Sequence, residues 1–119
     1  IVVSATFNVE FGDKKDIEEG LKIIKNNRES SQPIKTKTSG SSFKNPAGSH
    51  AAELIDLAGC KGLKIGDAVV SSKHANFLIN TDNATAGQIE DLGKLIIEKV
   101  YNKFQIILDW EIKIVGDAH

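Results

Sequence analysis

The chain has 119 residues, 40% of them hydrophobic and 26% charged, with a net charge of −1 and one cysteine, Cys60. That length suits one domain around a single core, and the balanced charge gives no reason to expect nucleic acid or an anionic membrane as partner. One cysteine excludes an internal disulfide and a cysteine-based zinc site and fits a reducing, cytoplasmic setting, while no apolar run approaches the roughly 18 residues of a spanning helix and nothing reads as a secretory leader.

Residues 2–11 alternate. Val3, Ala5, Phe7, Val9 and Phe11 fall on one face, Ser4, Thr6, Asn8 and Glu10 on the other, which predicts a half-buried strand ended by Gly12 and Asp13. The sequence opens in the middle of that strand and contains no methionine, so we expect it to be a piece of a longer protein. Over 15–27 the period becomes helical, with Ile17, Leu21 and Ile24 in one stripe. Residues 28–41 have no clear period and read as a loop, with a short extended piece at 34–36.

Ser49 is the expected N-cap of the next helix, with Glu53 in its first turns, Ala51, Leu54, Ile55 and Ala58 as its apolar stripe, and Gly59 at its C-cap. Cys60 follows that cap and is expected to pack as a small hydrophobe. Two short strands are predicted at 67–71 and 75–80. Asn83 or Thr85 caps a helix whose stripe is Ile89, Leu92, Ile96, Val100 and Phe104. Over 106–115 the alternation returns, and Trp110 and Ile112 facing the helices would turn Glu111 and Lys113 the other way. The order β-α-loop-α-β-β-α-β predicts an α+β fold, a small mixed or antiparallel sheet with helices packed on one face.

The generic chemical motifs are absent: no GxGxxG, GxxxxGK[ST], GxSxG or HExxH occurs. His50, His74 and His119 lack metal-ligand spacing, so no metal is expected. The positive charges are spread out and suggest no nucleic-acid surface. What stands out is the loop "TSGSSFKNPAGSH", residues 38–50, which sets two serines, a lysine and an asparagine just ahead of a helix.

Five ordered blocks follow from that loop. They are Gly-Ser-x-Phe-Lys-Asn-Pro, then Ala-Gly-x-x-Gly-x-x-x-Gly, then Lys-His-Ala-x-Phe, then Asn-x-x-x-Ala-Thr, and finally Glu-x-x-x-x-Gly, and all five occur in that order over residues 40–116. This closely resembles the C-terminal part of UDP-N-acetylenolpyruvoylglucosamine reductase, the bacterial flavoenzyme family called MurB. The resemblance implies an NADPH-dependent oxidoreductase of peptidoglycan synthesis. FAD is reduced by NADPH, a hydride passes to the enolpyruvyl double bond of UDP-N-acetylglucosamine enolpyruvate, and a proton goes to the adjacent carbon to give UDP-N-acetylmuramate. It implies that residues 1–37 end the flavin-domain region and 38–119 form the UDP-sugar substrate-binding domain, with FAD held mainly by a flavin domain outside this chain.

Carried over by position, Ser41 matches the proton-donating serine and Glu111 the C-terminal catalytic glutamate. Asn45 matches a substrate contact, and Lys44, Lys73 and His74 are candidate substrate contacts. Lys35 and Lys37 are further candidates for the diphosphate, as point charges. Without the resemblance, "SGSS" reads as a solvated turn, Glu111 as a solvated strand face, each lysine as an ordinary surface charge and His74 as a structural residue. The competing function is a non-catalytic nucleotide-sugar binding module, and the plainest reading is a structural α+β domain.

Overall fold

The computed structural model describes residues 1–33 and 35–116. It divides into two units, Ile1–Ser30 and the remainder from Ser31. Ile34 of the expected extended piece and His119 lie outside the described residues.

In the first unit the predicted strand at 2–11 does not form. The segment has no secondary structure, and Val3, Phe7, Val9 and Phe11 are all exposed. Alternation makes a segment two-faced, but a strand exists only through a ladder to a neighbour. No strand among the described residues pairs with this one. Helix α1, Lys14–Ser31, is longer than the stripe at 15–27 predicts. Asp13 explains its start: the carboxylate Oδ1 accepts from the N–H groups of Lys15 (2.9 Å) and Asp16 (3.3 Å), satisfying two donors that the first turn leaves open. Asp16 in the first turn and Arg28 in the last also suit the helix dipole.

The second unit is built on a four-stranded antiparallel sheet. Its strands are β1 (Lys37–Ser41), β2 (Lys64–Ile65), β3 (Ala68–Val70) and β4 (Phe77–Asn80), in the order β1-β4-β3-β2. Between β1 and β2 lies α2 (Ala51–Leu57), and α3 (Ala86–Phe104) closes the order. This is the α+β architecture expected. β1 falls just after the extended piece expected at 34–36. β2 is new, and at two residues it is too short to carry a period.

Helix α3 is fixed at both ends. Thr85, one of the two expected caps, accepts from the Gln88 N–H (3.2 Å), while the Gln88 side chain accepts from the Thr85 N–H (3.2 Å). Gln105 stops the helix in the left-handed region, with φ 57. Leu92, Ile96 and Val100 are fully buried, with Ile89 and Phe104 packed at the margins of the same core. The core continues through Val70, Leu78, Ile55, Cys60 and Leu108. Helix α2 begins differently from expectation. His50, not Ser49, occupies its N-cap position and makes no side-chain cap bond. The cap comes from Asn45, whose Oδ1 accepts from the Ala51 N–H at 2.9 Å. Gly66 makes the β2–β3 turn at φ 56, and Gln105 has the one positive φ among the described non-glycine residues.

The strand predicted at 106–115 is reduced to a single bridge, Phe43 with Trp110. Lys44 N–H donates to Asp109 C=O and Glu111 N–H to Ser42 C=O, both at 2.9 Å, and no longer ladder develops. The alternation survives as burial: Leu108 is buried and Trp110 and Ile112 half-buried, while Asp109, Glu111 and Lys113 are exposed. Burial against α3 and the sheet sets this period without a second strand beside it.

Trp110 reaches the core through a gap in α3. A β-carbon added at Gly93 would lie 1.9 Å from Cη2 of Trp110, so the helix admits the indole only where it has no side chain. The other side of the indole stacks on Phe43, with centroids 4.7 Å apart and planes inclined by 29°. Gly93→Ala should therefore lower stability by about 1–3 kcal/mol, as overpacking does. It should also shift the emission of Trp110, the only tryptophan in the chain, to the red. Denaturant unfolding and fluorescence read both effects, and wild-type values for the two would contradict this packing.

Candidate functional site

The end of β1 is bent where the loop of small residues begins. Thr38 pairs with Ile79 and Ser41 with Phe77, so β1 carries one residue more than β4 across that interval. Gly40 takes up the extra residue at φ 89, and a side chain there would meet nothing within 4 Å. Backbone conformation rather than crowding therefore calls for glycine. The bulge re-aims the two serines that follow. Ser41 is exposed and lines a cleft, whereas Ser42 is fully buried. Ser42 N–H donates to Asn76 C=O at 2.8 Å, and its hydroxyl has no hydrogen-bond partner.

The cleft measures ≈ 620 Å³. Ser41, Lys44 and Asn45 reach it from the end of β1, and Glu111 from the bridge with Phe43. His74 enters from the β3–β4 turn, and His50 from the start of α2. Five of the eight sequence-derived candidates thus share one concave surface. Lys73 is not part of the lining; its N–H bonds the Ser71 hydroxyl at 3.1 Å in the turn beside His74. Lys37 lies elsewhere, with its ammonium on the Asp82 carbonyl at 3.3 Å. It lines a second groove of ≈ 690 Å³ whose wall is mostly apolar, including Ile89, Trp110 and Ile112. Lys35 is a solvent-exposed residue outside both linings.

His74 is half-buried. Its ring meets Phe77 edge-on, with centroids at 4.6 Å, and Nδ1 accepts from the Asn76 N–H at 3.3 Å. That bond leaves Nε2 to carry the proton of the neutral ring. Burial lowers the His74 pKa below its ordinary value and the nearby Lys61 lowers it further, against an opposing backbone hydrogen bond. The cleft thus offers a neutral N–H donor near neutral pH, beside the Lys44 ammonium and the Glu111 carboxyl. Burial raises the pKa of the Cys60 thiol, which sits in the core as an inert apolar group, as expected.

Sequence reasoning missed Asn76 and His50. Asn76 is 4% exposed and makes two side-chain bonds to the Phe43 main chain, at 2.9 and 2.8 Å. The signal was present as a lone amide between Ala75 and Phe77 in an apolar run, since buried amides must find partners.

Fold and site together define a small α+β domain whose sheet edge and C-terminal segment enclose a polar cleft. The profile of the family "UDP-N-acetylenolpyruvoylglucosamine reductase, C-terminal domain" matches residues 32–115. The UDP-N-acetylenolpyruvoylglucosamine reductase of Erythrobacter litoralis is 50% identical over 98% of this chain and 36% of its own length. That of Sphingopyxis alaskensis is 49% identical over 99% of this chain and 40% of its own. The crystal structure of UDP-N-acetylenolpyruvylglucosamine reductase (MurB) from Thermus caldophilus superposes with a TM-score of 0.66 at 36% identity, covering 83% of this chain and 35% of that one. The chain therefore belongs to the UDP-N-acetylenolpyruvoylglucosamine reductase C-terminal domain family, and it spans little more than a third of the length of these relatives.

Two measurements test the site's energetics. His74 favours its neutral form when folded, so the unfolded chain binds a proton first, near pH ~6.5. The stability this gives is complete above that pH and is lost as pH falls through the lower folded value. Urea unfolding from pH 7.5 to 5 should show His74→Gln losing less stability on acidification than wild type, and parallel profiles would contradict the assignment. Ser42→Ala removes an unsatisfied buried hydroxyl, which typically costs about 1–3 kcal/mol to bury. It should leave stability equal or higher in the same assay, and a loss above about 1 kcal/mol would reveal a partner for that hydroxyl.

Proposed function

We propose that this chain is the substrate-binding and proton-donating part of a cytoplasmic, NADPH- and FAD-dependent reductase. Its substrate would be UDP-N-acetylglucosamine enolpyruvate, its product UDP-N-acetylmuramate for peptidoglycan, and its boundary with the flavin-domain region would fall near residue 37. The observation that carries the reading is that Ser41 and Glu111, far apart in sequence, line one cleft with Lys44, Asn45 and His74.

Reduction of the enolpyruvyl double bond adds a hydride at one carbon and leaves an electron pair on its neighbour, spread into the attached carboxylate as an enolate. The pair must then be protonated. A serine hydroxyl is a weak acid, so Ser41 suits this step only when held within hydrogen-bond reach of so strong a base. A bulged strand end holds the hydroxyl at a set place on the cleft wall. Glu111 is assigned to the same intermediate, where its carboxyl holds a proton or orders a water beside the developing charge. Lys44 and the His74 Nε2–H suit the diphosphate oxygens. The Asn45 Oδ1 is engaged with α2, which leaves its NH₂ group for a sugar or phosphate oxygen.

The cleft does not fit FAD. The main-chain N–H groups of Ser42, Phe43, Lys44 and Glu111 are all bonded within the chain, so they form no backbone cradle for a dinucleotide diphosphate. The flavin would belong to the other part of a protein of the relatives' length. In such a flavin-loaded enzyme, Ser41→Ala should leave flavin reduction by NADPH within about twofold of wild type and slow reoxidation by the enolpyruvyl sugar by about 10²–10⁴-fold, the usual worth of a general acid. Stopped-flow absorbance of the flavin separates the two half-reactions. Equal losses in both would sink the assignment of Ser41, and binding of the sugar nucleotide without any reoxidation in wild type would favour a non-catalytic binding module.

A further inference from the structure

We propose that Asn76 is the positioning residue of this cleft: its buried carboxamide ties the end of β1 to the β3–β4 turn and so fixes where Ser41 and Glu111 stand relative to one ligand. The proposal rests on the reductase reading above and adds to it a residue that touches no reacting atom.

The argument starts where β4 runs out. Ser42 N–H still finds a main-chain partner, the Asn76 carbonyl at 2.8 Å. At the next residue β4 has given way to the turn that carries Lys73 and His74, and Phe43 faces no strand on that side. The side chain of Asn76 takes the strand's place. Its Oδ1 accepts from Phe43 N–H at 2.9 Å and its Nδ2 donates to Phe43 C=O at 2.8 Å. A carboxamide offers a donor and an acceptor side by side without having to take up a proton, and asparagine is the shorter of the two residues that have one.

Phe43 is the branch point of the cleft. On its other side the flanking residues hold the C-terminal segment, through Lys44 N–H to Asp109 C=O and Glu111 N–H to Ser42 C=O. One amide thus links three stretches: Ser41 lies two residues before Phe43, His74 two residues before Asn76, and Glu111 one bond beyond Ser42. An asparagine that merely closes its own turn would bond locally, whereas these bonds reach 33 positions along the chain. Asn76 itself is 4% exposed, so water does not replace a bond that is lost.

The test uses Asn76→Asp, which keeps size and one acceptor but removes the donor. In this chain, amide hydrogen exchange at Lys44 and Glu111 should accelerate about tenfold or more, while Ile96 and Val100 in α3 stay within about threefold. In the flavin-loaded enzyme, kcat with the enolpyruvyl sugar should fall about tenfold while KM stays within about threefold, with flavin reduction by NADPH unchanged. Uniform acceleration through α3, or none at Lys44 and Glu111, overturns the proposal, and Asn76→Ser decides it by the same exchange pattern should Asn76→Asp not fold. Selective exchange with unchanged kcat overturns the catalytic part of the proposal but leaves the reductase reading standing. A wild-type enzyme that does not reduce the sugar overturns that reading instead, and the exchange pattern still decides the tether.

Discussion

Everything on the cleft depends on one contact, the Trp110 indole seated between Phe43 and the bare backbone of Gly93. A strand end on one side and a C-terminal segment on the other have little else in common. They share one bridge and two main-chain bonds. Each such bond is worth about 0.5–1.5 kcal/mol net, which alone would not hold an irregular segment in place. A stacked aromatic pair adds about 0.5–1.5 kcal/mol beyond the larger return from taking Phe43 and much of the Trp110 indole out of water. Stacking therefore attaches the segment, and the hydrogen bonds set its register. Glu111 follows Trp110 directly and Ser41 precedes Phe43 by two residues, so the attachment decides whether the two residues line one cleft.

Features written in local spacing were legible in the sequence. The stripe from Ile89 to Phe104 predicted α3 nearly to the residue, because a helix is fixed by neighbours three and four positions away. The alternation over 106–115 gave the right faces but the wrong element. Period reports which side is buried, and burial against α3 produces it as readily as a sheet does. The alternation over 2–11 misled for the complementary reason: it gives a segment two faces without supplying a partner. Ser49 looked like a cap, yet the cap of α2 came from Asn45, six residues upstream of the N–H it serves. Asn76 stood out as a lone amide in an apolar run, but its partner, Phe43, is brought near only by the sheet.

The site was legible through resemblance rather than spacing. "SGSS" by itself describes a solvated turn, and for Ser42 even that is wrong, since the bulge at Gly40 sends it into the core. The structure supplies what the motif lacked, a physical reason for two adjacent serines to have different fates. The pairing of an open polar cleft with main-chain donors engaged at Ser42, Phe43, Lys44 and Glu111 also suits a domain that presents a substrate to chemistry housed elsewhere. This chain covers 36% and 40% of two of its relatives, and the division of labour proposed here matches that share.

The most direct measurement is an amide chemical-shift titration of this chain with UDP-N-acetylglucosamine enolpyruvate. The account predicts saturable shifts centred on Ser41, Lys44, Asn45, His74 and Glu111. Shifts confined to the apolar groove beside Ile89 and Ile112, or none at millimolar ligand, would contradict it.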